Sequence, residues 1–420
     1  MSLRATIKSL NLKNFLVIFF LGIASGLPLA LVLSTLKAML SDAQFDVQII
    51  GFLSLVTLPY TLKFCFAPII DSCALPYLTK TFGQRRSWMI AAQLLLIFAI
   101  AMLGIAGGEK NLTSIIFFAF LLSFASASQD AVIDGYRIEL IKKEEQGIAV
   151  GCYVYGYRIG LLISGAGALI MAEYIGWSSV YLLLSAIMIG AIATTLIADE
   201  TRKNWQSGNY NFISWFKHAV IEPFSEFGHH QKWIAILLFV ISFKLCDAFA
   251  GNLTLPFLLE LNFTKIEIAS IVKTFGLFAS LFGVFVGGVI VKKIGMTKGL
   301  WLAAIMQMLS NLAFSYLAKT GHDISTLYGV IFIENFSGGI GDAVFLAYLS
   351  SLCNTAFSAT QYALLASLAT LARSVLASSA GIVVAKFGWY YFFIFSSLLA
   401  LPALLLLILI MPKTTASSAR

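Results

Sequence analysis

Ten charged residues of this 420-residue chain lie inside long apolar segments, where charge is expensive. Five are basic and five are acidic: Lys63, Arg158, Lys244, Lys273, Arg373, Asp130, Asp134, Asp247, Glu334 and Asp342. A charge at the centre of a membrane-spanning helix costs about 2.5–3.5 kcal/mol. Ten such charges facing lipid would cost more than the net stability of a typical domain, about 5–15 kcal/mol. The pattern therefore predicts a polar path lined by protein, in which most of these charges are paired.

Proton coupling is the chemistry that this set suggests first. It needs a buried carboxylate that is charged in one conformation and neutral in another. Asp130 and Asp134 are four residues apart, on one face of a predicted helix, and are the first candidates. Asp247 and Glu334 are the next. For each of them a permanent ion pair with a neighbouring Lys or Arg is the alternative, and the sequence leaves it open.

The elements that must position these residues are membrane helices. The chain is 59% hydrophobic and 11% charged, with a mean hydropathy of +0.90. A soluble globular chain carries roughly 45–50% apolar and about 25% charged residues. This composition excludes a soluble enzyme, a disordered protein and a secreted disulfide scaffold.

Apolar runs of membrane-spanning length recur from end to end and predict twelve helices. We place them at 14–36, 47–70, 87–107, 112–136, 146–173, 177–198, 232–259, 266–291, 298–318, 323–351, 357–384 and 388–411. Alternate loops carry 18 Lys and Arg residues on one side and 5 on the other. Because basic residues concentrate in cytoplasmic loops, both termini are predicted to be cytoplasmic and the number of spans even.

The longest predicted loop divides the chain into three parts. We predict a six-helix half at 1–198, a cytoplasmic linker at 199–231 and a second six-helix half at 232–420. The linker carries an apolar stripe at helical spacing, formed by Phe212, Trp215, Phe216, Ala219 and Val220. This stripe predicts an interfacial helix on the cytoplasmic surface, and a plain flexible linker is the alternative.

The two halves share a spacing of polar residues, Gln-x11-Arg-x5-Ser. It occurs at Gln146, Arg158 and Ser164 and again at Gln361, Arg373 and Ser379. Each Arg precedes a Gly-Trp pair, at 176–177 and 388–389, that opens the next predicted helix. Two six-helix halves related by a repeat resemble the plan of major-facilitator transporters.

A second group of charges lies at the loop between the second and third predicted helices. Asp71, Arg85 and Arg86 flank this loop, and Arg137 ends the helical face of the aspartates. We predict that these four residues form a cytoplasmic charge latch between helices.

Other chemistry is not indicated. The sequence has no phosphate-binding Gly-x4-Gly-Lys-[Ser/Thr] loop, no metalloprotease motif and no paired CxxC cysteines. We therefore predict no cofactor and no metal, and a proton gradient as the energy source. The net charge of +8 is assigned to cytoplasmic loops, with the lipid bilayer and not nucleic acid as the partner.

Long motifs resemble the AmpG family of muropeptide permeases, a branch of the major facilitator superfamily. They are Ser126-Ala127-Ser128-Gln129-Asp130, Ile133-Asp134-Gly135-Tyr136-Arg137, Gly156-Tyr157-Arg158-Ile159-Gly160, Lys244-Leu245-Cys246-Asp247, Lys273-Thr274-Phe275-Gly276, Glu334-Asn335-Phe336-Ser337-Gly338-Gly339 and Phe357-Ser358-Ala359-Thr360-Gln361. The resemblance implies a proton-driven importer of anhydro-muropeptides in the bacterial inner membrane, which would act as a monomer.

Such a substrate would need groups for both of its parts. The peptide carboxylates would suit Arg158, Lys244 or Arg373, and the sugar hydroxyls would suit Gln129, Asn335 or Gln361. Lys63, Lys273 and Asp342 complete the candidate substrate contacts.

Three alternatives remain open at this point. The first is a related carrier for another organic anion or sugar-peptide, such as acetyl-coenzyme A. The second is a membrane sensor or assembly partner that transports nothing, whose intramembrane carboxylates could be neutralised without loss of function. The third, a membrane-embedded enzyme, lacks any catalytic constellation in the sequence.

Overall fold

Helices form all of the regular secondary structure in the residues that the computed structural model describes. Those residues are 12–45, 53–202, 214, 217–228, 232–251, 253–377 and 379–410. The prediction of an all-helical membrane protein is thereby confirmed. The count of twelve spans and the cytoplasmic termini stay predictions.

In the first half of the chain, the described residues contain ten α-helices, of which the two shortest have four and five residues. They are α1 (Leu12–Val32), α2 (Ser34–Asp42), α3 (Leu58–Thr61), α4 (Lys63–Ser72), α5 (Leu78–Phe82), α6 (Gln84–Gly108), α7 (Leu112–Leu140), α8 (Gln146–Leu162), α9 (Ala168–Ile187) and α10 (Ile189–Ile197). Short 3₁₀ turns cover Leu53–Thr57 and Lys143–Glu145, and a π-helical turn at Ile163–Gly167 joins α8 to α9.

The second half contains the remaining helices. They are α11 (Glu222–Gly228), α12 (Trp233–Ser242), α13 (Leu245–Gly251), α14 (Thr254–Glu260), α15 (Lys265–Glu267), α16 (Gly276–Ile294), α17 (Met296–Thr320), α18 (Ile324–Leu352), α19 (Ser358–Ala377), α20 (Ala380–Leu398) and α21 (Leu401–Ile410). Ile268–Phe275 is π-helical and leads into α16, and a 3₁₀ turn at Thr355–Phe357 leads into α19.

Both Gly-Trp pairs mark breaks in the helical backbone, as predicted. Gly176 lies inside the range of α9 with φ 73° and ψ 159°, and Gly388 lies inside α20 with φ 72° and ψ 171°. Glycine reaches this region of positive φ at little cost because it has no Cβ. The break at Gly176 divides the long helical stretch 143–197. In the second half, the predicted boundary near 384–388 corresponds to the break at Gly388 inside α20.

Nine helical segments among the described residues are long and apolar enough to cross a bilayer. The predicted span 47–70 is described only from residue 53, and there it consists of short pieces. Pro59 and Pro68 lie in these pieces, and proline removes a backbone donor from a helix. The predicted span 232–259 is also divided, into α12, α13 and α14, and Lys244 lies at the first division.

The chain forms two compact units. The first comprises residues 1–143, 152–223 and 352–364. Its core packs α6 along α7 and α9, and the buried Tyr181 donates a hydrogen bond to the carbonyl of Leu31 at 3.1 Å. The second unit comprises 144–151, 224–351 and 365–420. Stacked and edge-on aromatic rings fill part of its core, such as Phe314 against Phe393 at 5.0 Å.

The predicted linker is described only in part. Residues Lys217–Ile221 form a π-helical turn that runs into α11, so this portion is helical. Ala219 is buried. Phe212, Trp215 and Phe216 lie outside the described residues, and the interfacial helix stays a prediction.

Candidate transport site

Arg85, at the start of α6, forms ion pairs with two acidic residues from other helices. Arg85 is fully buried, and its Nη2 donates to Asp71 Oδ1 at 2.6 Å and to Glu139 Oε1 at 2.7 Å. The same nitrogen donates to the hydroxyl of Ser358 at 2.8 Å, and Nε faces both oxygens of Glu139 at 3.2 Å. Charge-assisted hydrogen bonds of this kind are roughly twice as strong as neutral ones. Arg85 therefore ties α6 to α4, α7 and the start of α19.

Asp71 completes this network from the opposite side. Its Oδ2 accepts hydrogen bonds from the backbone N–H of Thr360 at 2.8 Å and from the Thr360 hydroxyl at 2.7 Å. Thr360 lies in the first turn of α19, where backbone N–H groups lack partners within the helix and favour a negative group. Arg202 approaches Asp71 at 3.3 Å and Glu139 at 2.8 Å. Two acids and two arginines thus form what we call the Arg85 network: Asp71, Arg85, Glu139 and Arg202.

The predicted latch is only partly this network. Asp71 and Arg85 meet as expected, but Arg86 donates instead to the carbonyls of Thr195 at 3.1 Å and Leu196 at 2.8 Å. Those carbonyls belong to the last turn of α10, where helix carbonyls lack partners. Glu139 and Arg202 were missed by the sequence reasoning. Their spacing from Asp71 gives no signal, because their proximity arises only from packing.

Asp134 is held by two cations on α4 and α7. Lys63 Nζ lies 3.4 Å from its Oδ2, and Arg137 Nη2 lies 3.5 Å from its Oδ1. Lys63 and Arg137 also both face the ring of Tyr362, at 5.8 and 5.5 Å from its centroid. The predicted latch residue Arg137 and the predicted substrate contact Lys63 are therefore brought together around Asp134.

Asp130 lies one helical turn from Asp134 and has a different environment. Its Oδ1 is buried and has no hydrogen-bond partner among the described residues. Its neighbour Gln129 is fully buried and donates from Nε2 to the carbonyl of Ala24 on α1 at 2.9 Å. The Oε1 atom of Gln129 also has no partner in the part of the chain that the structure describes.

Close packing of α1 against α8 sets the wall of this region. A Cβ on Gly22 or Gly26 would collide with the carbonyl oxygens of Tyr153 and Tyr157, respectively. Gly156 on α8 packs in the same way against the carbonyl of Phe19. Small residues that let backbones approach are typical of helix contacts in membranes. The rings of Tyr153 and Tyr157 are neighbours along α8, with centroids 6.0 Å apart and planes tilted by 38°.

The two arginines of the repeat, Arg158 and Arg373, lie on α8 and α19. Arg158 is half-buried, and no hydrogen bond or ion pair joins it to any described residue. Arg373 lies in α19, and its side chain lies outside the part of the chain that the structure describes.

In the second unit, Lys244 is the centre of the charges. Its Nζ lies 2.9 Å from Asp342 Oδ1, 3.1 Å from Asp247 Oδ2 and 3.2 Å from the carbonyl of Gly338. Lys244 is buried, whereas the Asp247 and Asp342 side chains are 25% and 42% exposed. We call these three residues the Lys244 cluster. The i, i+3 pairing of Lys244 with Asp247 follows from their spacing, but the third member comes from α18.

Glu334 lies on α18, two turns before Asp342, and is bonded differently. Its Oε2 accepts a hydrogen bond from Asn335 at 2.9 Å. Among the described residues, its charged neighbours are Lys244, Lys273 and Asp247, and none of them lies within ion-pair distance of its carboxylate. Lys273 lies in the π-helical segment before α16 and is exposed.

The side-chain amide of Gln361 forms hydrogen bonds with two backbone groups. Its Oε1 accepts from the N–H of Asn354 at 2.7 Å, and its Nε2 donates to the carbonyl of Pro223 at 3.1 Å. It is 2% exposed. Of the three residues suggested for sugar hydroxyls, Gln129 is thus the one with an unpartnered amide oxygen among the described residues.

Comparisons with known proteins agree with this architecture. The Major Facilitator Superfamily model matches residues 18–377. The chain is 39% identical over 377 residues to "Putative transporter AmpG 4" of Rickettsia felis, covering 89% of this chain and 90% of that protein. It is 37% identical over 376 residues to the "Anhydromuropeptide permease" of Escherichia coli K12, covering 89% and 74%.

Solved structures support the fold. The proton:xylose symporter XylE aligns with a TM-score of 0.66 at 12% identity, over 95% of this chain and 96% of that one. A bacterial homologue of the iron transporter ferroportin, in an outward-facing state, aligns with a TM-score of 0.69 at 14% identity, over 95% and 99%. From the helices, the buried charges and these relatives, we conclude that the chain belongs to the AmpG family of the major facilitator superfamily and is a multi-pass membrane transporter, not an enzyme.

Proposed function

We propose that this protein is a proton-coupled symporter that imports anhydro-muropeptides from the periplasm across the bacterial inner membrane. The substrate follows from the Escherichia coli relative, whose name is anhydromuropeptide permease. The observation that carries the coupling is the buried Asp130 carboxylate, whose Oδ1 has no partner among the described residues. In this proposal the protein has twelve spans with cytoplasmic termini, acts as a monomer and needs no cofactor.

The four candidate coupling residues divide into two pairs. Asp134 has two cations within ion-pair distance, Lys63 and Arg137, and Asp247 has one, Lys244. Asp130 and Glu334 have no ion pair within the described residues. A carboxylate without a fixed cation can exchange a proton when its surroundings change. We therefore assign proton exchange to Asp130 and Glu334.

Two basic groups suit the carboxylates of the peptide. Arg158 and Lys273 carry no ion pair to the described residues, whereas Lys244 lies between two aspartates. A free guanidinium binds a carboxylate through two parallel hydrogen bonds. We assign the first peptide contact to Arg158, with Lys273 as the second and Arg373 as the repeat-related candidate.

The Arg85 network takes the latch role in this proposal. It ties the segment 352–364 to the start of α6 through Ser358 and Thr360. All four of its charged groups are paired, so opening it would expose charges that water must then solvate. That property suits a fastening that holds in one conformation and releases in another.

The driving force is sufficient. An inward-moving proton gains about 2.3 kcal/mol per 100 mV of membrane potential. Each pH unit adds about 1.4 kcal/mol. One or two protons would concentrate a scarce periplasmic sugar-peptide by several powers of ten, since 1.4 kcal/mol corresponds to a factor of ten.

The test is uptake into proteoliposomes with an imposed inward proton gradient. The substrate is a labelled anhydro-disaccharide-tripeptide, and the variants are Asp130→Asn and Glu109→Gln. Glu109 is an exposed acid beyond the end of α6 and serves as the matched control. We expect the wild type and Glu109→Gln to accumulate substrate until an uncoupler is added. We expect Asp130→Asn to bind substrate and to equilibrate it without accumulation.

Other outcomes would reject parts of the proposal. Undiminished accumulation of substrate by Asp130→Asn would show that proton coupling does not need Asp130. Glu334→Gln would then be the next variant to measure. Absence of wild-type uptake by folded protein under a verified gradient would overturn the substrate assignment. Uptake that excess acetyl-coenzyme A suppresses would favour a carrier for another organic anion.

A further inference from the structure

Unpartnered polar atoms concentrate around Asp130 in the first unit. Besides its own Oδ1, they are the hydroxyls of Ser25, Tyr60 and Ser126 and the amide oxygen of Gln129. Each of these atoms is buried and has no hydrogen bond to the residues that the structure describes. Buried polar atoms in native proteins nearly always have a partner, and each exception needs an explanation. Five such atoms in one place form a group of donors and acceptors whose hydrogen-bonding capacity is not used by the described residues.

Three structural elements bring these atoms together. Ser126, Gln129 and Asp130 are spaced i, i+3 and i+4 and share one face of α7. Gln129 reaches α1 at Ala24, the residue before Ser25. The Tyr60 hydroxyl on α3 comes close to Ser126 and Asp130. We call this group the hydroxyl pocket: Ser25, Tyr60, Ser126, Gln129 and Asp130.

The two serines of the pocket, like Ser123 and Ser367, lack a hydrogen bond that most serines in these helices make. A serine in a membrane helix commonly donates to the carbonyl three or four residues before it. Ser128, Ser164 and Ser337 do so, at 2.8, 2.9 and 2.6 Å. Ser25 and Ser126 are fully buried, yet neither makes such a bond. Their polar neighbours are members of the same region: Ser126 lies near Tyr60, and Ser25 lies near Asp130 and Tyr153.

The pocket is suited to neutral hydroxyl groups. Three hydroxyls can each donate and accept, and the amide and carboxylate oxygens accept only. The nearest cation, Lys63, forms its ion pair with Asp134. A carboxylate or phosphate would meet the Asp130 oxygen without a compensating cation at hydrogen-bond distance. Tyr153 and Tyr157 on α8 lie beside Asp130 and add flat apolar surface.

We infer that the hydroxyl pocket binds the sugar part of the transported molecule, with Ser25, Tyr60 and Ser126 as specificity-determining residues. The inference rests on the proposed function for the identity of the ligand. The peptide carboxylates bind elsewhere, at basic groups. Sugar hydroxyls donate to Gln129 Oε1 and Asp130 Oδ1 and accept from the tyrosine and serine hydroxyls.

The test is equilibrium binding to full-length protein in lipid nanodiscs without a proton gradient. The probes are the anhydro-disaccharide-tripeptide, the anhydro-disaccharide alone and the free tripeptide. The variants are Ser126→Ala, Tyr60→Phe and their combination, with Ser128→Ala as the control because its hydroxyl bonds to Phe124. Since the removed hydroxyls lack partners in the described structure, thermal unfolding is expected to be unchanged.

Each single variant is expected to bind both sugar-containing probes with an affinity about 3- to 10-fold lower than that of the wild type. A net hydrogen bond contributes about 0.5–1.5 kcal/mol, and 1.4 kcal/mol is tenfold in affinity. Binding of the free tripeptide, and all binding by Ser128→Ala, should be unchanged. If Tyr60→Phe unfolds, Ser25→Ala replaces it.

Four results would contradict the inference. Wild-type affinity for the sugar-containing probes in a folded double variant would show that the sugar does not bind in the hydroxyl pocket. Equal losses for the free tripeptide would make the effect structural. Unchanged equilibrium binding with lost gradient-driven uptake would assign the hydroxyls to proton movement. Wild-type protein that binds none of the probes would overturn the proposed function itself and the subsite with it.

Discussion

Two aspartates occupy the same position in corresponding helices of the two units and have opposite environments. Asp130 and Asp342 each lie eighteen residues after the first residue of a 29-residue helix, α7 and α18. Asp130 has a buried oxygen without a partner in the described residues, whereas Asp342 lies 2.9 Å from Lys244. The repeat thus reproduces the position of a carboxylate but not its partner.

The difference teaches that the helices packed against a carboxylate decide what it can do. In the second unit, the division between α12 and α13 supplies Lys244, which forms an ion pair with Asp342. In the first unit, hydroxyl and amide groups surround Asp130, and the cations lie one turn away at Asp134. Equivalent positions in the two units therefore differ in whether a cation lies within ion-pair distance. The predictions below test this contrast, from the largest expected effect on stability to the smallest.

The largest effect is expected from Arg85→Met compared with Lys244→Met. Removing one partner of a buried ion pair costs about 3–5 kcal/mol, because a buried charge is left without compensation. Arg85→Met leaves two acids that are only 3% and 6% exposed and that share Arg202 as their one remaining cation, so one buried negative charge is uncompensated. Lys244→Met leaves acids that are 25% and 42% exposed and partly hydrated. We expect a loss of about 3–5 kcal/mol for Arg85→Met and about 1–3 for Lys244→Met. Unfolding in detergent, monitored at several denaturant concentrations, measures both. Equal losses would mean that hydration of the second pair of acids does not matter.

A smaller effect is expected from packing, by comparing Gly26→Ala with Gly338→Ala. A methyl group on Gly26 would collide with the carbonyl of Tyr157, whereas one on Gly338 meets open space. Overpacking typically costs about 1–3 kcal/mol, and alanine in a helix is favoured over glycine by about 0.5–1 kcal/mol. We expect Gly26→Ala to lower the thermal midpoint and Gly338→Ala to leave it unchanged or raise it. A stable Gly26→Ala would show that α1 and α8 can separate without loss, and would weaken the description of the Asp130 region.

The direct test of the comparison is the pair Asp130→Asn and Asp342→Asn. Asp342→Asn removes one of the two carboxylates beside Lys244 and should cost about 1 kcal/mol. Asp130→Asn replaces an acid without an ion pair by a neutral group of the same shape, so its stability should be unchanged or higher. The unfolding free energies of the two variants, measured side by side, check this. Destabilisation by Asp130→Asn as large as that by Asp342→Asn would show that Asp130 has a permanent partner and would break the contrast.

The smallest effect on stability is expected at Lys273. This residue is exposed and makes no ion pair among the described residues, so Lys273→Gln should change the unfolding free energy by at most about 0.5 kcal/mol. The affinity of the Lys273→Gln variant for a muropeptide should nevertheless fall by tenfold or more, since a hydrogen bond to a charged group contributes about 1.5–3 kcal/mol. Parallel unfolding and binding measurements separate the two effects. Unchanged affinity would remove Lys273 from the peptide contacts.

Much of the fold could be predicted from the sequence, because its signals are local. Hydropathy located the membrane helices to within a few residues in most of the described chain, as for α17 and α18. The Gly-Trp pairs correctly marked the breaks at Gly176 and Gly388. Where two prolines divide a span, near Pro59 and Pro68, hydropathy alone predicted one continuous run instead of several short helices.

The candidate site was predictable as a set of residues but not as a set of pairs. The i, i+3 contact of Lys244 with Asp247 follows from helical spacing. The contact of Arg85 with Ser358 joins residues 273 positions apart, and that of Asp71 with Thr360 joins residues 289 positions apart. No local pattern encodes contacts over such distances. For the same reason, Arg86 was assigned to the latch although it caps α10, and Glu139 was overlooked.

The amino-acid sequence by itself determined that this protein is a helical membrane transporter with charges inside its spans. Length, hydropathy and the cost of burying charge follow from residue types and spacing alone. Only the tertiary structure decided which of those charges are neutralised, because a partner is supplied by a helix distant in the chain. The structure places cations within ion-pair distance of Asp134 and Asp342 and none within that distance of Asp130 among the described residues.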